Sequence, residues 1–374
     1  MKNIIIIQRI VPHYRIPFYN GLYAYLLEKN IKLTVIYGQE KTGAVPKSVF
    51  VDEPWAVHIE NKYYALMGKE LVWQPCLKLL KQADLIIFEQ ANRLLINYLL
   101  LSRLLTGNAK LAFWGHGKNF QSTHSAGLLE KWKKTFNNAV DWWFTYTPLS
   151  TELIELSGFP AEKITTVFNS IDDSALRLEK EKSSSLDIDK MKKKLNINSD
   201  NMAIYCGGMY SEKRLAFLLD ACDEIKKSVP DFHILFIGSG PDQYLVEAAA
   251  KNNSWIHYLG HITGSQRVPY FLASKVLLMP GLVGLVLLDS FLLETPLITT
   301  NVQLHSPEIA YLHHDVSGLI IENDLNSYVE AVVNTLMSPQ KLKALQLECV
   351  KSSHQYTLEN MVHYYGEGII RCVS

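Results

Sequence analysis

The chain has 374 residues, 48% hydrophobic and 20% charged, with 37 basic residues against 37 acidic ones. That length exceeds one ordinary core and makes two domains the default, and the composition argues against extensive disorder. Zero net charge excludes a global field that would draw the chain onto nucleic acid, so any anion site is local. Five scattered cysteines (Cys76, Cys206, Cys222, Cys349, Cys372) lack C-x-x-C spacing. They suit reduced thiols in a cytosolic compartment, not a disulfide framework or a zinc site, and neither a metal nor a cofactor is expected.

The opening apolar run Ile4–Ile7 stops at Gln8 and Arg9, which is strand length and no secretory signal. Lys2–Gln8 therefore reads as the first strand, followed by a loop Arg9–Arg15 and a helix over Pro17–Glu28. Lys32–Tyr37 is a second strand, and strand–helix–strand at this spacing opens a parallel α/β sheet. Further strands are expected at Asp84–Phe88, Lys110–Trp114, Trp142–Tyr146 and Ile164–Phe168, with helices near 74–82, 93–105, 128–137 and 150–157. Leu94–Leu105 is interrupted by Asn97, Ser102 and Arg103, so it is a helix too short to span a bilayer.

Residues 176–200 are charged and Ser-rich and read as a linker. It separates a first domain (1–175) from a second (201–355). The second carries strands at Met202–Cys206, His233–Ile237, Ile256–Leu259, Val276–Met279, Leu297–Thr300 and Gly318–Ile321. Residues 356–374 form a helix expected to return to the first domain. Two doubly wound α/β domains face each other across a cleft, and ligands in such folds sit at the carboxyl ends of the strands.

The strand ends carry the candidate chemistry. Val276–Thr300 reads as strand, Pro280-Gly281 turn, helix starting near Gly284, strand. The amides of Gly284, Leu285 and Val286 suit a phosphate, and Asp289 sits in the helix's first turns. A buried turn without ligand explains the same stretch. Gly207 and Gly208, followed by Lys213 and Arg214, suit a diphosphate. Gly238 and Gly240 expose backbone at the next strand end. Gly260 and His261 offer contacts to a base, and Glu308 offers a carboxylate to ribose hydroxyls or caps its helix. In the first domain His13, Tyr14 and Arg15 follow strand one. Glu89, Gln90, Asn92 and Arg93 suit a polyol, with Asn92 equally readable as a helix cap. His116 is flanked by glycines that let a ligand approach.

In order, YCGGMYSEKRLAFLLDA, LFIGSGPD, IHYLGHI, VLLMPG, GLVLLDSFLLETPLITT and HSPEIAYL…VSGLII resemble glycosyltransferase family 4 across the second domain. VPHYRIPFYNGL, FWGHGKNF and VFNSID extend the resemblance more loosely to the first. The resemblance implies the GT-B architecture, two Rossmann-like domains, and sugar transfer from a nucleotide-sugar with retention and no required metal. It implies that Lys213 neutralises the donor diphosphate, His116 contacts the transferred sugar and Asp289 contacts ribose, so these three carry the catalytic assignment. The donor set is then Gly207, Gly208, Lys213, Arg214, Gly238, Gly240, His261, Gly284, Leu285, Val286, Asp289 and Glu308. The acceptor side is His13, Tyr14, Arg15, Glu89, Gln90, Asn92 and Arg93. Three positions depart from the family. Gly281 replaces the first glutamate of its Glu-x7-Glu motif, Gly207-Gly208-Met209 lacks the phosphate-binding arginine, and Pro12-His13-Tyr14-Arg15 replaces a glycine-rich loop.

The expected activity moves a hexose or N-acetylhexosamine from a UDP- or GDP-sugar to a glycan or polyprenyl-linked acceptor in surface polysaccharide synthesis. A nucleotide-sugar epimerase and a catalytically lapsed binding protein are the alternatives. The expected location is cytoplasmic, at the inner face of the membrane. The hints toward a membrane surface are the apolar helix and the run Lys131-Trp132-Lys133-Lys134 followed by Trp142 and Trp143. A core helix beside a solvated basic face explains them as well.

Overall fold

The computed structural model describes residues 1–41, 49–66, 68–104, 107–117 and 138–374. The basic run at 131–134 and the helix expected over 128–137 lie outside them. The chain divides into two compact units, one of residues 1–172 with 358–374, the other of residues 173–357.

The first unit is built on a seven-stranded parallel sheet. Its strands are β1 (Lys2–Gln8), β2 (Ile31–Tyr37), β3 (Ala56–His58), β6 (Leu85–Glu89), β7 (Lys110–Gly115), β8 (Trp142–Thr145) and β9 (Ile164–Thr166). They lie in the order β3-β2-β1-β6-β7-β8-β9. Between β3 and β6 the chain forms an antiparallel hairpin, β4 (Lys62–Leu66) and β5 (Lys69–Trp73), which the sequence reading missed. β1 shows why the main strands are legible. Its alternate isoleucines serve opposite faces: Ile4 and Ile6 join one apolar cluster, Ile5 and Ile7 the other.

The C-terminal helix Leu358–Val373 belongs to this unit. Tyr365 stacks on Phe144 with centroids 4.4 Å apart, Tyr25 donates to Glu367, and Lys110 donates to the Cys372 carbonyl. A Cβ on Gly368 would stand 2.6 Å from Thr165 Oγ1, so only glycine allows this approach of helix to strand.

The second unit has six parallel strands: β10 (Met202–Cys206), β11 (His233–Ile237), β12 (Ile256–Tyr258), β13 (Val276–Leu278), β14 (Leu297–Thr300) and β15 (Gly318–Ile321). Their order, β12-β11-β10-β13-β14-β15, is that of the dinucleotide-binding fold. The order reverses between β10 and β13. That crevice is where such folds bind ligands.

Residues 176–200, read as a linker, are instead mostly helical. Helices Ser174–Lys182 and Ser185–Lys194 fill the stretch and belong to the second unit. Ser184 and Asp187 form a reciprocal capping box, and Lys180 pairs with Glu294 at 2.8 Å. A helix with a charged outer face lacks a strong apolar period, which hid it from the sequence reading.

Candidate functional site

The glycine loops after β10, β11 and β12 are joined backbone to backbone. Gly207 donates to Ile237 O at 3.0 Å, Met209 to Ser239 O at 2.9 Å, and Gly238 to Gly260 O at 2.8 Å. Gly238 (φ +144°) and Gly240 (φ +155°) lie so close to Gly207 and Met209 that a Cβ on either would overlap a carbonyl oxygen. The Tyr205 hydroxyl donates to Gly208 O at 2.7 Å and holds the loop from below. These glycines thus let the loops at the strand ends pack backbone against backbone. His261, beyond Gly260, is exposed.

Lys213 ends a 3-10 turn, Ser211–Lys213, and is only 5% exposed. Its ammonium donates to Leu282 O at 2.5 Å and lies 3.6 Å from Met279 Sδ. Burial pulls its pKa down to about 8. Arg214, in left-handed backbone (φ 57°), turns elsewhere. Its Nη1 meets Pro280 O at 3.3 Å, Thr300 Oγ1 at 3.1 Å and Asn323 Oδ1 at 2.6 Å, and its guanidinium stacks 4.2 Å from the Phe217 ring centroid. That network ties three loops together, so Arg214 is a brace for the strand ends.

The helix after β13 runs Val286–Leu292. Among the described residues no hydrogen-bond acceptor meets the amides of Gly284, Leu285 and Val286, which are half-buried. His305 fixes the loop ahead of them: Nδ1 accepts from Val283 N–H at 3.1 Å while Nε2–H donates to Thr300 O at 2.6 Å. Burial, aided by Lys213, lowers its pKa and keeps it neutral. Glu308 is buried in the following 3-10 turn, whose N-cap is Ser306.

Asp289 is buried and bonded to Arg267, whose Nη2 stands 2.8 Å from Oδ2 and 3.0 Å from Oδ1. Burial still raises the Asp289 pKa to about 6, with Arg267 opposing. Sequence reasoning missed Arg267 and His305, because each acts on a residue 22 positions away in the chain.

In the first unit, His13 and Tyr14 are exposed on a 3-10 turn after β1, and Arg15 is buried. The Arg15 guanidinium donates to Asn169 Oδ1 at 2.5 Å and Ser170 O at 3.3 Å, and lies 5.8 Å from the Trp114 ring centroid. It clamps loops of this unit together. Glu89 Oε1 accepts from Arg9 N–H at 2.6 Å, at the point where strand order reverses between β1 and β6; burial raises its pKa. Gln90 grips Gly117 reciprocally, accepting its N–H at 3.1 Å and donating to its carbonyl at 3.5 Å. His116, next to Gly117 in the chain, packs its ring against Tyr146 with centroids 4.3 Å apart and planes tilted by 33°, and burial lowers its pKa to about 4, so it is neutral at pH 7. Asn92 and Arg93 are exposed. Arg93 faces Glu70 at 3.8 Å, and Asn92 is not the helix cap, since the N-cap is Leu94.

Two parallel sheets in this strand order match solved structures over nearly their whole length. The Anabaena protein Alr3699/HepE, solved in complex with UDP, matches with a TM-score of 0.69 at 13% identity, covering 99% of this chain and 100% of that one. A glycosyltransferase from Rickettsia africae matches with a TM-score of 0.68 at 14% identity, covering 98% and 97%. Sucrose-phosphate synthase from Thermosynechococcus elongatus matches with a TM-score of 0.66 at 15% identity, covering 98% of each chain.

The chain has the GT-B fold.

Within this GT-B chain, residues 200–338 match the family described as Glycosyl transferases group 1, a stretch that lies inside the second unit. Among curated proteins none matches the chain. No helix among the described residues is long and apolar enough to cross a membrane, and the helix Leu95–Leu101 buries Ile96, Asn97 and Leu100 in its own unit.

Proposed function

We propose that this GT-B protein is a retaining glycosyltransferase that moves a hexose or N-acetylhexosamine from a UDP- or GDP-sugar to a glycan or lipid-linked acceptor. The observation that carries the reading is the second unit's switch point. There Lys213 and the amides of Gly284–Val286 stand at the same strand ends as the glycine loops, and among the described residues those amides meet no acceptor. UDP is the first nucleotide to test, since HepE and the pneumococcal transferase GtfA were both solved with it.

In the reaction, the bond from the anomeric carbon to the diphosphate oxygen breaks as the acceptor oxygen bonds to that carbon on the same face. The acceptor proton passes to the leaving phosphate oxygen. Lys213 and the helix-start amides stabilise the leaving charge, each well-placed donor contributing about 3 kcal/mol. Asp289 accepts from ribose. His116 acts on the transferred sugar as a neutral hydrogen-bonding ring, and Glu89, with its raised pKa, acts on acceptor hydroxyls. Membrane association belongs to the same reading, as does a role in surface polysaccharide synthesis. The test is nucleotide release from UDP-, GDP- and dTDP-sugars with and without acceptor. Acceptor-dependent release supports transfer. Inversion of the sugar without acceptor would instead mark an epimerase, and binding without turnover a lapsed enzyme, a reading favoured by the loss of the first motif glutamate at Gly281.

A further inference from the structure

Arg267 ends the 3-10 turn Gly264–Arg267, and its side chain is 19% exposed against 6% for that of Asp289. Both of its contacts to the carboxylate are made by Nη2. The Nε–H of the same guanidinium is buried and meets no acceptor among the described residues. A buried donor on a cation is costly to leave unpaired, so its position calls for an oxygen from outside the chain, of water or of a ligand.

The neighbourhood places this donor at the crevice of the second unit. Cys206 closes β10, and its thiol feels Asp289, Arg267 and Lys213 together. Asp173 is the other charged group facing Asp289. Asp289 lies on the helix that follows β13, so the pair stands where strand order reverses between β10 and β13.

The chemistry of the pair selects what it can hold. Arg267 and Asp289 together are neutral, and the carboxylate repels a phosphate oxygen. A hydroxyl fits, because it must both accept and donate, and the pair offers an N–H next to carboxylate lone pairs. We infer that Arg267 is a donor-binding residue: its Nε–H donates to a ribose hydroxyl of the nucleotide, and that hydroxyl donates in turn to Asp289. The inference rests on the nucleotide-sugar reading of this site and adds to it a residue from a separate loop.

The discriminating variant is Arg267→Lys, which keeps a positive charge for Asp289 but lacks the Nε donor. Calorimetric titration would compare UDP, 2′-deoxy-UDP and 3′-deoxy-UDP. Wild type is expected to prefer UDP over one deoxy analogue by roughly tenfold. Arg267→Lys is expected to bind UDP about tenfold more weakly and to lose that preference, with the deoxy analogue bound as in wild type. Unchanged UDP affinity in the variant, or an equal loss for all three ligands, overturns the inference alone. Wild-type protein that binds neither UDP nor GDP removes the nucleotide site itself, and the inference with it. Should Arg267→Lys fail to fold, the neutral pair Arg267→Gln/Asp289→Asn takes its place, and retained discrimination there is equally fatal.

Discussion

Lys213 and Leu282 are bound twice over. The lysine ammonium donates to Leu282 O at 2.5 Å, and the peptide just before the lysine accepts Leu282 N–H through Glu212 O at 2.8 Å. The lysine is thus held on the β13 loop, with its charge fixed where the helix-start amides begin. Holding a cation in one place before the substrate arrives avoids reorganisation during the reaction.

Lys213→Ala should lower turnover on the order of 100-fold or more. It also leaves Leu282 O without its donor, at a cost of about 1–3 kcal/mol. Steady-state kinetics with a UDP-sugar and urea unfolding read the two effects separately. Turnover within a few-fold of wild type excludes Lys213 from the chemistry.

The same lysine should set an alkaline limb in the pH–rate profile. Its folded pKa of about 8 lies below the usual 10.5, so charge is lost as pH rises past about 8. Turnover per KM should fall there, while Lys213→Arg should keep its rate to higher pH. For stability the sign is opposite. The unfolded chain binds the extra proton between about 8 and 10.5, so this residue's contribution to stability increases with pH over that window.

Gly281→Glu, which introduces the first glutamate of the motif that the sequence resembles, should fail to raise activity. A Cβ there would overlap Glu212 O and stand 2.6 Å from the carbonyl carbon of Lys213, both of them backbone atoms. Forced backbone movement should cost about 1–3 kcal/mol and shift Lys213. A variant as stable as wild type and more active would show that the loop opens freely.

Asp289 should make stability decline with rising pH. Its folded pKa of about 6 exceeds the usual 3.8, so between those values the folded chain holds the proton more tightly. The contribution is full below about pH 4 and lost above about pH 6, and amounts to at most roughly 3 kcal/mol. Comparing the pH profile of wild type with that of Arg267→Gln/Asp289→Asn isolates it; identical slopes over that window refute the assignment.

Gln90→Ala should release Gly117 and with it the His116 ring. Turnover is expected to drop about tenfold with donor affinity unchanged, since the lost bonds lie in the first unit. Gln90→Glu, which keeps the acceptor for Gly117 N–H, should restore part of the rate. Equal kinetics in both variants and wild type would free His116 from this clamp.

Much of this protein was determined by its sequence alone. Lys2–Gln8, Met202–Cys206, His233–Ile237, Leu297–Thr300 and Gly318–Ile321 are strands over the residues their apolar runs mark, because strands of parallel sheets are covered on both faces. The glycines at their ends were legible for a related reason: backbone packed against backbone leaves no room for a side chain. The hairpin β4–β5 was not legible, since β4 is largely exposed and neither strand alternates between buried and exposed residues. Nor were the helices of residues 174–194, although Ser184 and Asp187 carried a cap signal. Only the tertiary structure decided which charge meets which. Arg214, three bonds deep in a loop brace, and Arg267, holding Asp289 across 22 residues, look alike as letters in a chain. Their roles differ because an ion pair depends on distance and burial, and those follow from how the sheets and helices pack.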